Sequence, residues 1–152
     1  MQKAQKGELK IFDASQYKIG IVTAQFNYDI TKKLLENALA CAQKYHVAQA
    51  NISIFRVAGS IEIPLVIKKL AERKKYDCLV ALGAIIRGET AHFEYVAKMV
   101  SEGVLRVMLD YGVPIGFGIL TCDNKEQALA RVDCGASATE AAIQLAKTMK
   151  ST

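Results

Sequence analysis

The amino-acid sequence predicts an α/β protein of three layers, with a parallel four-stranded sheet flanked by helices. Short runs of β-forming residues alternate with amphipathic helical patterns along the chain, which is typical of repeated βα units. The run at residues 77–86 is almost continuously apolar, as expected for a strand covered on both faces. With 152 residues, 51% of them hydrophobic, the chain is long enough to bury one core. A single domain is therefore expected over residues 18–152.

The first half of the domain reads as two strand–helix units. Residues 18–24 and 51–57 are rich in β-branched residues and predict strands. The first helix is predicted from about residue 30 to residue 46. In the second helix Pro64 falls in the first turn, where its missing N–H costs little. The apolar stripe of the first helix is Leu34, Leu35, Ala38, Leu39 and Ala42, and that of the second is Ile63, Val66, Ile67, Leu70 and Ala71.

The second half continues the alternation. A long helix is predicted over residues 90–111, with Gly112 as its stop. Residues 113–121 form the fourth predicted strand, in which Gly116 and Gly118 permit close approach of another backbone. Two helices, at about 125–131 and 137–150, finish the chain.

The first 17 residues fit this pattern poorly. They include an alternating stretch at residues 8–12 that resembles an edge strand, but no partner strand for it is evident within the domain. Two interpretations stay open: the arm pairs with a neighbouring subunit, or it is a loose extension.

Composition and charge argue against several classes of function. The net charge of +5 comes from lysines spread over helix faces, without a basic tract interleaved with aromatics, so nucleic acid is not the expected partner. The four cysteines lack metal-ligand spacing, and we expect reduced, mostly buried thiols and no metal site. No apolar run approaches the roughly 20 residues that span a bilayer. The N-terminus has no apolar signal core, so no membrane partner and a cytoplasmic location are expected.

Unusual residues follow all four predicted strands, at the sheet edge where open α/β proteins bind ligands. Phe26 stands in the turn after the first strand, and its ring could stack on a heteroaromatic substrate or pack as a hydrophobic staple. Ser60 and Glu62 follow the second strand. Glu62 could cap the next helix or accept hydrogen bonds from a polyhydroxylated ligand.

The turn after the third strand offers the strongest chemical signal. His92 lies in the first turn of the predicted long helix, next to unpaired backbone N–H groups that can hold an anion. The helix dipole there favours the neutral imidazole, which can accept a proton. Arg131 could clamp a phosphate, or simply complete a helix C-terminus. Arg87 competes for the phosphate role, but it could instead brace the turn through a carboxylate.

Several segments together resemble the lumazine synthase family. They are the pair FN at residues 26–27, GSIEIP at 59–64, ALGAIIRGETAHFEYV at 81–96, PIGFGILT at 114–121 and EQALAR at 126–131. The resemblance covers about residues 18–150, and it implies a flavodoxin-like fold.

The resemblance implies an enzyme of riboflavin biosynthesis that condenses two small-molecule substrates. These are 5-amino-6-(D-ribitylamino)uracil and L-3,4-dihydroxy-2-butanone 4-phosphate, which give 6,7-dimethyl-8-ribityllumazine with loss of phosphate and water. No cofactor is implied. By matching position, His92 would shuttle protons, Phe26 would stack on the pyrimidine, and Arg131 and Phe117 would come from the adjacent subunit, with Arg131 on the phosphate. The remaining implied substrate-binding residues are Asn27, Ser60, Ile61, Glu62, Ala84, Ile85, Ile86, Gly88, Glu89 and Thr90.

The family also implies homo-oligomers, either pentamers or larger icosahedral shells, with active sites at subunit interfaces. This chain departs from the family pattern at Ala58, where proline is common, and in a shortened connection after Arg131 that places Cys134 near an expected lysine. Two alternatives to an active synthase stay open. One is a shell that binds flavin or lumazine without turnover, and the other is a flavodoxin-like electron carrier.

Overall fold

The computed structural model describes residues 4–152 and contains one sheet of four parallel strands. The strands are β1 (Ile19–Ala24), β2 (Ile52–Val57), β3 (Cys78–Ile86) and β4 (Ile115–Cys122). They pair in the order β2-β1-β3-β4. Each predicted strand is present, and the predicted parallel pairing is confirmed.

Within residues 4–152, five α-helices cover the two faces of this sheet. They are α1 (Tyr28–Lys44), α2 (Ile63–Glu72), α3 (His92–Tyr111), α4 (Lys125–Leu129) and α5 (Cys134–Ser151). Helices α1 and α5 bury their apolar residues against one face, whereas α2 and α3 pack on the other. The predicted three-layer, flavodoxin-like arrangement is therefore confirmed.

Strand β3 connects the two halves of the core. Its side chains alternate between the faces: Val80 and Leu82 pack with α1 and α5, while Leu79 and Ala81 pack with α2 and α3. All four are fully buried. A strand that is apolar on both faces is the expected sequence of a central parallel strand.

The last helix begins earlier than predicted. Helix α5 begins at Cys134 rather than near residue 137, because the chain leaves α4 in tight turns. In these turns the N–H of Cys134 donates to the carbonyl of Arg131, and the N–H of Gly135 donates to that of Val132. A Cβ at residue 135 would lie 2.0 Å from the backbone oxygen of Leu34, so glycine allows α5 to lie directly on α1.

The N-terminal segment contacts its own domain over part of its length and contains no strand between residues 4 and 18. Phe12 packs edge-on against Tyr45, with ring centroids 5.4 Å apart. The Nε2 of Gln144 donates to the carbonyl of Lys10 and to the hydroxyl of Tyr45, both at 2.9 Å. Pairing of residues 8–12 with a neighbouring subunit stays a prediction, and the part of the arm at residues 1–3 lies outside the described residues.

All four cysteines are free thiols, as expected. Cys41, Cys78 and Cys122 are buried, and Cys134 is half-buried. Burial raises the pKa of Cys78 to about 12, because a thiolate is poorly solvated there. Among the described residues, no helix is both long and apolar enough to span a membrane. The cytoplasmic location stays a prediction.

The close approach predicted at Gly116 is present and can be tested. A Cβ at residue 116 would lie 2.1 Å from the carbonyl oxygen of Ala138, on the backbone of α5. We expect Gly116→Ala to lower the free energy of unfolding by about 1–3 kcal/mol, because the added methyl overpacks the core. Urea unfolding at equal protein concentration measures this. Gly7→Ala, whose Cβ would meet nothing within 4 Å, is the control, and equal midpoints for the two variants would contradict the prediction.

Candidate active site

The order of the strands reverses at β1, which opens a crevice between the carboxyl ends of β1 and β3. Asn27 closes the base of this crevice. Its backbone is left-handed, with φ 58°, and its Nδ2 donates to the carbonyl of Ala84 at 2.9 Å. The turn after β1 is thus fixed to the end of β3.

Phe26 lies on the surface of this crevice. The backbone N–H of Phe26 donates to the carbonyl of Ala58 at 2.8 Å, which fastens the turn after β1 to the turn after β2. Phe26 is nevertheless 73% exposed. A hydrophobic staple would bury the ring, so the staple interpretation is wrong. An exposed aromatic ring held by its backbone is instead available to stack on a ligand.

The turn after β2 places Ser60 and Glu62 at the same edge of the sheet. The Oε2 of Glu62 accepts a hydrogen bond from the N–H of Gly59 at 2.8 Å, which confirms the capping interpretation for that oxygen. Ser60 is buried. A Cβ at residue 83 would lie 2.4 Å from the Oγ of Ser60, so Gly83 in β3 allows this serine to reach the sheet. Ile61 between them is partly exposed.

The end of β3 leads into an open turn. Ala84 and Ile85 are buried and Ile86 is half-buried, because their side chains pack into the core on the two faces of the sheet. Residues 88–91, which we call the β3–α3 turn, are exposed, as is His92 at the start of α3. The N–H of His92 donates to the Oγ1 of Thr90 at 3.4 Å. The remaining free N–H groups of a helix start suit an anion.

Arg87 braces this turn through carboxylates, as one of its two sequence interpretations predicts. Its Nε donates to the Oδ1 of Asp123 at 2.9 Å, and its guanidinium also pairs with Glu94 in the first turn of α3. The Arg87 Cζ lies 4.3 Å from the centroid of the Phe93 ring. Residue 87 is thus tied both to α3 and to the turn after β4.

A second ion pair joins the turns that flank the crevice. The Nζ of Lys125, at the start of α4, lies 2.5 Å from a carboxylate oxygen of Asp29 in the first turn of α1. The hydrogen bond from Lys125 holds the pKa of the Asp29 carboxyl below its usual value. The sequence does not single out Asp29, Lys125 and Asp123, because an ion pair between distant turns leaves no signal in local spacing.

Arg131 lies just beyond the end of α4. One of its terminal nitrogens donates to the carbonyl of Gln127 at 2.8 Å, so the interpretation as a helix C-terminal cation is confirmed. The Oε1 of Gln127 in turn accepts from the N–H of Asp123 at 2.9 Å. Arg131 is therefore positioned by the same turn that binds Arg87.

Phe117 lies five residues before the carboxyl end of β4, whereas Phe26 follows the end of β1. It lies in β4 at the level of Val22, because Val22 pairs with Ala81 and Ala81 pairs with Phe117. Phe26 follows Val22 by four residues and lies two strands away. At about 3.3 Å per residue and 4.8 Å per strand, the Cα atoms of the two phenylalanines are roughly 16 Å apart. Phe117 is nevertheless 41% exposed, and a second copy of the chain could reach it.

The bridge from Asn27 to Ala84 gives a test of how the crevice is held. Asn27→Gly keeps the left-handed backbone accessible but removes the hydrogen bond, which should cost about 1 kcal/mol of folding free energy. Asn27→Ala should cost about 1 kcal/mol more, because a Cβ disfavours this conformation. Denaturant unfolding of both variants measures the difference. Equal stability of the wild type and Asn27→Gly would show that the bridge contributes nothing.

Comparison with known families gives an assignment that agrees with this geometry. A model of the 6,7-dimethyl-8-ribityllumazine synthase family matches residues 16–150. The match includes all four strands and all the crevice residues described above.

Proposed function

Because the chain belongs to the 6,7-dimethyl-8-ribityllumazine synthase family, we propose that it condenses 5-amino-6-(D-ribitylamino)uracil with L-3,4-dihydroxy-2-butanone 4-phosphate. The family consists of transferases of riboflavin biosynthesis. One observation carries the proposal: an exposed aromatic ring, a serine–glutamate pair and an anion-suited helix start lie at one crevice. The ring belongs to Phe26, the pair is Ser60 and Glu62, and the helix starts at His92.

The pyrimidine substrate binds along the turns after β1 and β2. Its ring stacks on Phe26, which is already exposed and held by its backbone. Backbone groups of residues 84–86 contact the ring edge, beside Asn27. The ribityl chain lies toward Ser60, Ile61 and Glu62, where a carboxylate can accept hydrogen bonds from several hydroxyls.

The phosphorylated substrate binds at the β3–α3 turn. Backbone N–H groups around Gly88, Glu89 and Thr90 receive the phosphate, because the start of α3 carries positive partial charge. A Cβ at Gly88 would have nothing within 4 Å, so a ligand can approach the backbone closely there. His92 follows directly and is exposed, within reach of a substrate held by the turn.

The chemistry requires positioning and proton transfer. Imine formation, elimination of phosphate and ring closure each move a proton, and the neutral imidazole of His92 can accept one and return it. Holding two substrates together supplies much of the remaining acceleration, since it removes the entropy cost of their encounter. This chain's residues therefore bind and orient the substrates, and His92 transfers protons.

We further propose that each site is completed by a neighbouring subunit in a homo-oligomer, a pentamer or a multiple of pentamers. The position of Phe117 supports this, because Phe117 lies five residues before the carboxyl end of β4, whereas the crevice is formed by turns that follow the strand ends. Phe117 and Arg131 of one subunit then face the crevice of the next. The outer edge of β2, at the end of the strand order, is where the arm of a neighbour would pair.

The decisive experiment mixes the two substrates with the purified protein and follows the absorbance of the lumazine product. Enzyme-dependent product formation supports the proposal. Tight binding of product without turnover would instead favour the non-catalytic shell. A yellow protein with a reversible flavin couple would favour the electron carrier. Light scattering on the same sample determines the assembly size.

Replacing His92 should slow the reaction without abolishing it. A positioned acid–base group contributes roughly 10²–10⁴-fold, so His92→Asn should lower kcat within this range and leave turnover above the uncatalysed rate. His46→Asn is the matched control, because His46 is exposed and left-handed at the end of α1 and asparagine tolerates that conformation. Complete loss of activity in an intact His92→Asn assembly would contradict this division of roles.

Replacing Arg131 should selectively weaken the binding of the phosphorylated substrate. Loss of charge-assisted hydrogen bonds worth about 1.5–3 kcal/mol predicts a rise of roughly 10- to 100-fold in KM for that substrate in Arg131→Ala. The KM for the pyrimidine should change little. Arg73→Ala, at the C-terminal end of α2, is the charge-matched control at the opposite edge of the sheet. Unchanged kinetic constants in Arg131→Ala would remove Arg131 from the site.

Mixing two defective variants tests whether Arg131 acts in the neighbouring site. Subunits of His92→Asn and Arg131→Ala are mixed at equal ratio, by refolding or by coexpression. In a cyclic assembly, about a quarter of the interfaces then pair an intact His92 of one subunit with an intact Arg131 of its neighbour. Activity at low concentration of the phosphorylated substrate should then exceed that of either variant alone. If Arg131 served its own chain's crevice, no interface of the mixture would be intact and no gain would appear.

A further inference from the structure

We propose that Arg87 is a positioning residue that masks two carboxylates and holds the β3–α3 turn in the shape that binds phosphate. This inference rests on the proposed function. It assigns to Arg87 a role at the phosphate end of the crevice without direct contact with substrate.

Residue 87 is placed between three elements, namely β3, β4 and α3. Its backbone N–H donates to the carbonyl of Cys122 at 2.9 Å, so the end of β3 is fixed to the end of β4. Its side chain pairs with Asp123 just beyond β4 and with Glu94 in α3. The β3–α3 turn follows directly, so the residue before the turn and the helix after it are held together by one arginine.

Two carboxylates carry negative charge at this end of the crevice. Glu94 and Asp123 flank the turn, and unpaired carboxylates there would repel an incoming phosphate. Arg87 lowers the pKa of the Glu94 carboxyl below its usual value through their hydrogen bond, and the two carboxylates raise the pKa of Arg87. The guanidinium therefore stays charged beside these carboxylates and offsets part of their negative charge.

The contacts of the Arg87 guanidinium favour positioning over direct binding of phosphate. A guanidinium presents a planar fork of five N–H donors. In Arg87 the Nε faces Asp123 and one terminal nitrogen faces Glu94, while the guanidinium lies over the ring of Phe93. Turning this fork toward a ligand would break both ion pairs and leave two carboxylates beside the phosphate.

The test measures inorganic phosphate binding to the assembled protein by isothermal titration in a phosphate-free buffer. Arg87→Gln should weaken phosphate binding by roughly tenfold, because the carboxylates lose their partner, and the loss should shrink as salt is added. Adding Glu94→Gln to this variant removes one unmasked charge and should restore much of the affinity. A directly binding arginine predicts no such recovery, and that result would overturn the proposal.

The matched control is Arg106→Gln on the same helix. Arg106 also forms an ion pair with an aspartate, Asp110, but it lies more than three turns from the start of α3. It should leave phosphate affinity unchanged. Unchanged affinity in Arg87→Gln as well would refute the masking role, provided that light scattering shows the same assembly for all variants.

Kinetics add a readout that a merely structural role would not change. Arg87→Gln should raise KM for the phosphorylated substrate and leave KM for the pyrimidine near the wild-type value. A general loss of packing would raise both constants, and that outcome would contradict the proposal. Phosphate binding is measured without turnover. A wild-type protein that binds phosphate but forms no lumazine would therefore contradict the proposed function while the role of Arg87 is still tested.

Discussion

The pairing of β3 with strands on both sides is the constraint on which the rest of the molecule depends. A strand buried on both faces has no water to satisfy its backbone, so its N–H and carbonyl groups must be bonded to β1 and β4. This requirement fixes the ends of three strands at one edge. The pairing of the strands is enough to bring the turns that follow them together, whatever contacts the side chains of those turns make. The crevice is therefore a consequence of the sheet.

The sequence predicts the strands and helices well because their signals are local. The apolar run of β3, the stop of α3 at Gly112 and the proline at the start of α2 each act over a few residues. The start of α5 was predicted too late. Its position depends on the contact of Gly135 with the backbone of Leu34, about a hundred residues earlier in the chain, and a local pattern carries no trace of such a contact.

In the candidate site too, local features could be predicted from the sequence and long-range contacts could not. Phe26, Glu62 and His92 could be singled out because their residue types are unusual for the turns in which they stand. The contacts that arrange them could not be predicted: the bond from Asn27 to Ala84, the pair of Asp29 with Lys125 and the carboxylates around Arg87. The exposure of Phe26 could not be predicted either, because residue type alone favours a packed staple. The backbone of Phe26 is held by a hydrogen bond to Ala58 in the turn after β2.

The contact between Gly83 and Ser60 limits how the crevice can change during evolution. With the Oγ of Ser60 2.4 Å from the place of a Cβ on residue 83, neither position can gain volume while the other is unchanged. A methyl group at position 83 becomes compatible once position 60 has lost its hydroxymethyl group. Positions 60 and 83 are therefore expected to mutate together. A lineage in which both had changed in this way would lack the serine hydroxyl at the edge of the crevice.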